Sequence, residues 1–177
     1  MIWVPRYVES PNSSGGFHGW LFDSILENWN ENYHTVVGVV EPEGCVKVIR
    51  KELGHDVEVE VLPVSPDLNI LIQWPKRYDI VISQATMEHV CRPSIMMENL
   101  VAMTTPGGLI SVHTHRPLHD GGYHAWPIDC CRFFPDFFID LGRYLSYEVV
   151  KTYMEDTHIF CLARREGKVK ELRREDA

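Results

Sequence analysis

The chain has 177 residues and a mass of 20.5 kDa; 45% of its residues are hydrophobic and 24% are charged. This length and composition predict a single folded domain over residues 1–177 and exclude an intrinsically disordered protein. The 25 acidic residues outnumber the 17 basic ones, and the net charge of −8 repels a phosphate backbone, so nucleic acid is not an expected partner.

The sequence shows no sign of membrane insertion or export. No apolar run approaches the roughly 18 to 20 residues that cross a bilayer, and no basic flank precedes a long hydrophobic stretch at the N-terminus. The five cysteines form no C-x-x-C pair, and adjacent Cys130 and Cys131 cannot bridge each other without strain. We therefore expect a reduced, cytoplasmic compartment. Residues 164–177 carry six basic and four acidic groups and are expected to form a solvated, charged C-terminal tail.

The first predicted elements are a strand, a loop and a helix. Residues 2–8 are rich in β-branched and aromatic types, which favour a strand, and a loop of serines and glycines follows. Trp20, Leu21, Ile25 and Trp29 then recur at helical spacing, so an amphipathic helix of about three turns is expected to begin directly at the glycines.

The rest of the chain alternates between strands and helices. The pattern predicts strands at 35–40, 57–64, 78–83, 109–113, 147–153 and 158–163 and helices at 45–53, 93–103 and 135–145. Only four residues connect the last two strands, which indicates an antiparallel hairpin. We predict a doubly wound, Rossmann-like α/β fold of three layers, with a mostly parallel seven-stranded sheet whose last strand is antiparallel. Ligands of such sheets bind beyond the carboxyl ends of the strands.

Three segments resemble class I S-adenosylmethionine (SAM) dependent methyltransferases, especially the small members that methylate metabolites or sugars. Residues 78–90, YDIVISQATMEHV, resemble the family's fourth strand and the Glu-His pair after it; residues 105–110, TPGGLI, resemble the turn before its fifth strand. Residues 124–135, HAWPIDCCRFFP, resemble a Pro-x-Asp-x-x-Arg-Phe segment of some members. The resemblance implies SAM as the cofactor and a small polar molecule as the methyl acceptor. The chain departs from the family in its glycine loop, where Ser13-Ser14-Gly15-Gly16 replaces the usual acidic residue and Gly-x-Gly pattern.

Candidate cofactor-binding residues follow four of the predicted strands. Backbone amides at a helix start favour an anionic group, here the methionine carboxylate of SAM, although a simple serine-rich helix cap explains the same residues equally well. Glu41 ends the second strand, about 25 residues after Gly16, close to where nucleotide-binding α/β proteins place a carboxylate on ribose hydroxyls. The resemblance further implies that Asp67 contacts the adenine amino group, unless it is an exposed loop acid, and that Gln84 contacts the methionine part. The candidates are Ser14, Gly15, Gly16, Phe17, Glu41, Asp67 and Gln84.

Candidate catalytic residues are histidines, because a protonated nucleophile needs a base that titrates near neutral pH. His113, His115, His119 and His124 fall within twelve residues, from the end of the fifth strand into the following loop. His89, of the Glu88-His89 pair after the fourth strand, is another candidate, although this pair could instead cap the next helix. The residues predicted to act in catalysis are His89, His115, His119 and His124.

The acceptor site is expected near Trp126, Asp129 and Arg132. Asp129 and Arg132 lie three residues apart at a helix start, so they could either pair with each other or hold a polar substrate. Trp126 would form part of the pocket wall.

Two other functions remain open at this level. The cluster of His113, His115, His119 and His124 could, with Asp120, bind a metal ion for hydrolysis, although the spacing departs from the usual His-x-His-x-Asp-His. The chain could also be a non-catalytic binding protein of the methyltransferase fold. A homodimer is compatible with the sequence.

Overall fold

A computed structural model of the protein describes residues 16–29, 35–40, 45–54, 57–62, 67–117, 129–155 and 158–167. Their elements are α1 (Gly16–Asn28), β1 (Val36–Val40), α2 (Cys45–Leu53), β2 (Glu58–Val61), β3 (Tyr78–Gln84), a 3-10 turn (Met87–His89), α3 (Pro93–Met103), β4 (Thr104–His115), α4 (Pro135–Leu145), β5 (Tyr147–Glu155) and β6 (His158–Arg165). None of the helices in these ranges is long and apolar enough to cross a membrane.

The strands form one sheet in the order β2-β1-β3-β4-β6-β5. Strands β2, β1, β3 and β4 pair in parallel, whereas β6 is antiparallel to both of its neighbours. This arrangement confirms the predicted doubly wound fold and its antiparallel last strand. The described residues contribute six strands where seven were predicted, because the predicted strand at 2–8 lies outside them. β1 pairs directly with β3, so no other strand can lie between these two.

Alternating side chains of the sheet enter two separate cores. On one face, Leu21 and Ile25 of α1 and Ile49 of α2 pack against Ile80 and Ile82 of β3. On the other face, residues of α3 and α4 pack against Val81, Ile110 and their neighbours. Each fully buried aliphatic side chain stabilises the fold by about 1.5–3 kcal/mol. The helices therefore form two outer layers around a sheet that is buried on both sides, as the continuous apolar runs of β1 and β3 indicate.

The predicted helix boundaries are largely correct, because proline and glycine mark them. Pro93 and Pro135 occupy the first turns of α3 and α4, where their missing N–H groups cost nothing. α2 ends at Leu53, before Gly54, whose φ of +101° is the left-handed conformation that stops a helix.

β4 and β6 extend beyond their predicted bounds, whereas β2 is shorter than the predicted strand at 57–64. β4 begins at Thr104 rather than at residue 109, because Thr104 already pairs with Tyr78 and a register shift accommodates the glycine turn before Leu109. β6 continues to Arg165, so the tail predicted from residue 164 begins later. The guanidinium of Arg164 donates hydrogen bonds to the carbonyls of Asn28 and Gly107, and the buried guanidinium of Arg165 donates to the carbonyl of Thr104. These contacts hold both arginines in the sheet.

Gly38, in the middle of β1, packs against an aromatic ring. A Cβ at this position would lie 2.7 Å from Cγ of Tyr78, the atom that attaches the ring to the rest of the side chain. Gly38→Ala is therefore expected to lower the free energy of unfolding by about 1–3 kcal/mol, measured by urea denaturation. Gly167→Ala is the matched control, because a Cβ there meets nothing within 4 Å. Equal stability of the two variants would contradict this packing.

Candidate active site

The sheet has its topological switch point between β1 and β3, where the chain order reverses. β1 ends at Val40 and β3 at Gln84, so the ligand crevice of a doubly wound sheet lies beyond these residues. Immediately after β3, Ala85 takes a φ of +48°, in the left-handed region that non-glycine residues rarely adopt. Its N–H donates to the carbonyl of His113, which ties this turn to β4. The turn brings the Met87–His89 segment over the end of β4.

Glu88 is the centre of the polar network at this edge. Its side chain is fully buried, with 0% of its surface exposed. The hydroxyl of Thr114 donates to Oε2 over 2.7 Å, and Nδ1 of His115 lies 2.7 Å from Oε1. Both oxygens of the carboxylate are therefore hydrogen-bonded to consecutive residues at the end of β4.

The network keeps Glu88 ionised. Burial opposes the charge and raises the pKa of Glu88, but the hydrogen bonds from His115 and Thr114 outweigh burial and lower the pKa to about 2. An ionised carboxylate only accepts hydrogen bonds, so Nδ1 of His115 carries the hydrogen. In this tautomer an uncharged imidazole has its lone pair on Nε2, across the ring from Glu88. About 15% of the His115 side chain is exposed. This pairing of carboxylate and imidazole is the arrangement that orients a histidine as a general base.

Two further imidazoles lie beside His115 on the same face of the sheet. Nε2 of His113 and Nδ1 of His158 are 2.8 Å apart and share a hydrogen bond. The ring centroid of His158 lies 5.1 Å from that of His115, and the buried ring of His113 stacks on Phe160 at 4.5 Å. The register of β4 with β6 explains the group, because His113 lies opposite Phe160 and His115 opposite His158. His113 and His115, at alternate positions of β4, therefore lie on one face of the sheet.

His89 lies near the same carboxylate oxygen as His115. Its Nε2 is 3.8 Å from Oε1 of Glu88, and 12% of its side chain is exposed. The alternative that Glu88 and His89 cap the next helix is wrong, since Arg92 is the N-cap residue of α3 and has no side-chain capping bond.

The segment of residues 129–133 docks onto this network through its backbone. The amides of Cys130 and Cys131 donate to the carbonyl of Glu88, over 2.8 and 3.1 Å, and the amide of Phe133 donates to the carbonyl of His115. Asp129 and Arg132 form a bidentate ion pair, as in the first of the two interpretations of the sequence, that these residues pair with each other. The hydrogen bond to Asp129 raises the pKa of Arg132. The ion pair therefore fixes the start of the segment next to the candidate base.

The predicted cofactor residues lie at the same edge where the structure describes them. The carbonyl of Asn28, at the end of α1, accepts a hydrogen bond from Arg164 of β6, which lies opposite Leu109 in the first half of β4. The end of α1 is therefore near the amino edge of the parallel strands. Because the helix is about 20 Å long, it begins at the opposite, carboxyl edge. Gly16 and Phe17 are its first residues. Gln84 is the buried last residue of β3. Ser14, Gly15 and Glu41 lie outside the described residues.

Asp67 is an exposed turn residue. Its Oδ1 accepts hydrogen bonds from both nitrogens of Asn69, and Oδ1 of Asn69 accepts from the amide of Arg92. These bonds anchor the turn near the start of α3. The hydrogen bonds from Asn69, first that of its side-chain amide and then that of its backbone, lower the pKa of Asp67. The next residues include the exposed apolar side chains of Ile70 and Leu71.

Three other predicted residues, His119, His124 and Trp126, fall in the range 118–128 that the structure does not describe, as does Asp120. In the ranges that it does describe, no three His, Cys, Asp or Glu side chains are grouped to hold a metal ion.

Sequence reasoning missed two members of the network. The sequence pattern indicates Glu88 only as half of a Glu-His pair and not as the partner of His115, 27 residues away. His158 is not predicted as part of the site, because the hairpin pairs it with Glu155 and only the pairing of β6 with β4 brings it opposite His115.

Comparison with known proteins gives a likeness of fold. No protein-family model and no curated protein matches the sequence. Among solved structures, the chain is similar to the 1,6-didemethyltoxoflavin-N1-methyltransferase of Burkholderia thailandensis, which holds its substrate and S-adenosylhomocysteine (TM-score 0.55, 13% identity, 84% of this chain and 76% of that one). It is also similar to the magnesium protoporphyrin IX methyltransferase of Synechocystis PCC 6803 with bound S-adenosylhomocysteine (TM-score 0.54, 14% identity, 84% of each chain).

A third similar structure is the (4+2)-cyclase SpnF, with a TM-score of 0.55 and 12% identity over 84% of this chain and 81% of that one. The chain thus has the fold of class I SAM-dependent methyltransferases. Because a cyclase has the same fold, function must be argued from the site.

Proposed function

We propose that the protein is a SAM-dependent methyltransferase that transfers a methyl group to an oxygen or nitrogen of a small polar acceptor. The fold supports the reaction class, since two similar structures are methyltransferases that hold S-adenosylhomocysteine. The observation that carries the proposal for this chain is the buried Glu88 carboxylate paired with His115 at the end of β4.

The chemistry of the residues around the switch point fits SAM. The exposed carboxylate of Asp67 suits the adenine amino group, and Ile70 and Leu71 offer apolar surface on the same loop. In this proposal Glu41 binds the ribose hydroxyls, and Ser14, Gly15, Gly16 and Phe17 at the start of α1 bind the methionine carboxylate. Gln84 borders the methionine part.

The acceptor is the reactant that the described residues can activate. SAM supplies a methyl group already activated on a sulfonium, so the protein must mainly position the acceptor and remove its proton. Glu88 fixes the tautomer of His115, and Nε2 of that ring takes the proton. His89, His119 and His124 remain predicted contributors to this base chemistry.

The walls of the site favour a polar acceptor. The His113–His158 pair adds hydrogen-bonding nitrogens beside His115, since the ring centroid of His158 is 5.1 Å from that of His115. In the proposal, Trp126 forms an apolar wall, and Asp129 and Arg132 border the acceptor with the ion pair that holds residues 129–133 in place.

Glu41→Ala is expected to weaken SAM binding by about 1–3 kcal/mol, because the ribose hydroxyls lose a charged hydrogen-bond acceptor. Calorimetric titration measures the dissociation constant. Glu43→Ala is the matched control: it makes the same change two residues later and is expected to leave the affinity unchanged. An unchanged dissociation constant for Glu41→Ala would remove this residue from the site.

The proposed function is tested by titrating the protein with SAM and then assaying methyl transfer, in chelator, to acceptors identified by mass spectrometry of co-purified ligands. Binding together with chelator-resistant transfer supports the proposal. Absence of heat and of a thermal shift at millimolar SAM would contradict it and leave a binding protein of the same fold. Stoichiometric zinc or iron and a chelator-sensitive hydrolysis would favour the metal-dependent alternative.

A further inference from the structure

Two cysteines that are distant in sequence meet beside the candidate active site. Sγ of Cys91 and Sγ of Cys130 are 3.4 Å apart, although the residues are separated by 39 positions. A disulfide bond is about 2.05 Å long, so each sulfur would have to move by only about 0.7 Å to form one. Cys91 comes two residues after His89, and Cys130 belongs to the segment that docks on Glu88.

Both thiols are open to solvent. Cys91 and Cys130 are exposed, whereas Cys161 is buried in the core, where burial raises the pKa of its thiol. A surface depression of about 800 Å³ opens beside Cys130 and is bordered by Pro93, Phe134 and Phe137. A small thiol reagent can therefore reach this pair while Cys161 stays protected.

We propose that Cys91 and Cys130 are a redox modification site, which a low-molecular-weight disulfide converts reversibly into an intramolecular disulfide bond. One cysteine thiolate attacks a sulfur of the small disulfide and releases one small thiolate, which leaves a mixed disulfide on the protein. The second cysteine attacks the protein sulfur of that mixed disulfide and releases the other small thiolate. The two protein thiols lose two electrons and two protons, and the small disulfide becomes two small thiols.

The bond would join two parts of the active-site wall that hydrogen bonds and apolar packing hold together in the reduced protein. The amides of Cys130 and Cys131 donate to the carbonyl of Glu88, and the thiol of Cys130 lies 3.8 Å from the carbonyl of His89. A covalent link at Cys91 therefore fastens residues 129–132 to the turn that carries Glu88. The link also closes a long loop, which lowers the entropy of the unfolded chain.

The neighbouring groups predict slow exchange at neutral pH. The hydrogen bond with Cys91 and the nearby Asp129 raise the pKa of Cys130, and burial raises the pKa of Cys131. Since the thiolate is the reactive form, exchange is expected to become faster as the pH rises.

The test equilibrates the full chain with oxidised and reduced glutathione at a series of ratios. The expected result is the loss of two of the five thiols, a peptide pair linked through Cys91 and Cys130 in non-reducing mass spectrometry, and a melting temperature higher by about 5–10 °C. Dithiothreitol is expected to reverse all three changes.

Three single variants make the test specific. Cys91→Ser and Cys130→Ser are expected to show neither the linked peptides nor the rise in melting temperature, whereas Cys131→Ser keeps both. The proposal is overturned if five thiols persist at the most oxidising ratio, if the linked peptides contain Cys131 instead, or if the bond joins two chains. SAM binding and methyl transfer do not enter this readout, so its failure is distinguishable from failure of the proposed function.

Discussion

Lowering the pH from about 5 to about 2 is expected to remove about 3 kcal/mol more unfolding free energy from the wild-type protein than from the Glu88→Gln variant. The pKa of Glu88 is about 2 in the folded protein and takes its ordinary value of 4.5 once the chain unfolds. The unfolded state therefore binds more protons than the folded state between these values. The stabilisation is complete above pH 4.5 and is lost as the pH falls towards 2.

Glutamine isolates the charge because it keeps the shape of the side chain and can still bond to Thr114 and His115. Urea denaturation of both proteins over this pH range measures the difference. Other carboxylates with a lowered pKa, such as that of Glu60, titrate in both proteins, so their contributions cancel in the difference between the two unfolding free energies. The two stability curves are expected to be furthest apart at neutral pH and to converge near pH 2. Curves that stay parallel would show that Glu88 is not held as a buried carboxylate.

The sequence predicts that the candidate site lies at the carboxyl edge of the sheet, but it does not predict which side chains pair with each other there. Strand patterns place His113 and His115 at the end of β4 and Glu88 just after β3, and parallel strands bring such residues to one edge. The hydrogen bond between Glu88 and His115, however, depends on the left-handed turn at Ala85. No local signal marks this turn, because alanine normally avoids that conformation.

The order of the strands is likewise set by tertiary packing. The apolar run at 36–40 correctly predicts a buried parallel strand. It does not predict that β1 pairs directly with β3, because any buried strand has the same composition. Direct pairing places the end of β1, at Val40, next to the switch point, and Glu41, which is proposed to bind the ribose, is the next residue in the sequence.

The contact between Cys91 and Cys130 could not be predicted from the sequence either. Spacing rules recognise cysteines that are close in sequence, but these two come together through the docking of residues 129–133 on Glu88. The segment docks through its backbone amides, so the pattern of side chains in the sequence does not predict this contact.

Removal of the imidazole at position 115 is expected to have the largest effect on turnover. His115→Ala should lower kcat for methyl transfer about 10²- to 10⁴-fold, the usual contribution of a positioned general base. The dissociation constant of SAM, measured by calorimetry, is expected to stay unchanged, because the proposal places the cofactor at β1 and β3 and not at the end of β4. His119→Ala is expected to act in the same direction.

Chemical rescue distinguishes a base from a packing residue at position 115. Added imidazole is expected to restore part of the turnover of His115→Ala, because it can occupy the vacated space beside Glu88 and accept the proton. The restored turnover should also increase with the basicity of the imidazole derivative that is added. A merely structural role would lower kcat without either response, and full activity in both His115→Ala and His119→Ala would refute a base in this cluster. Glu88→Gln should reduce turnover as well, since a neutral amide no longer stabilises the protonated ring that forms when His115 takes the proton.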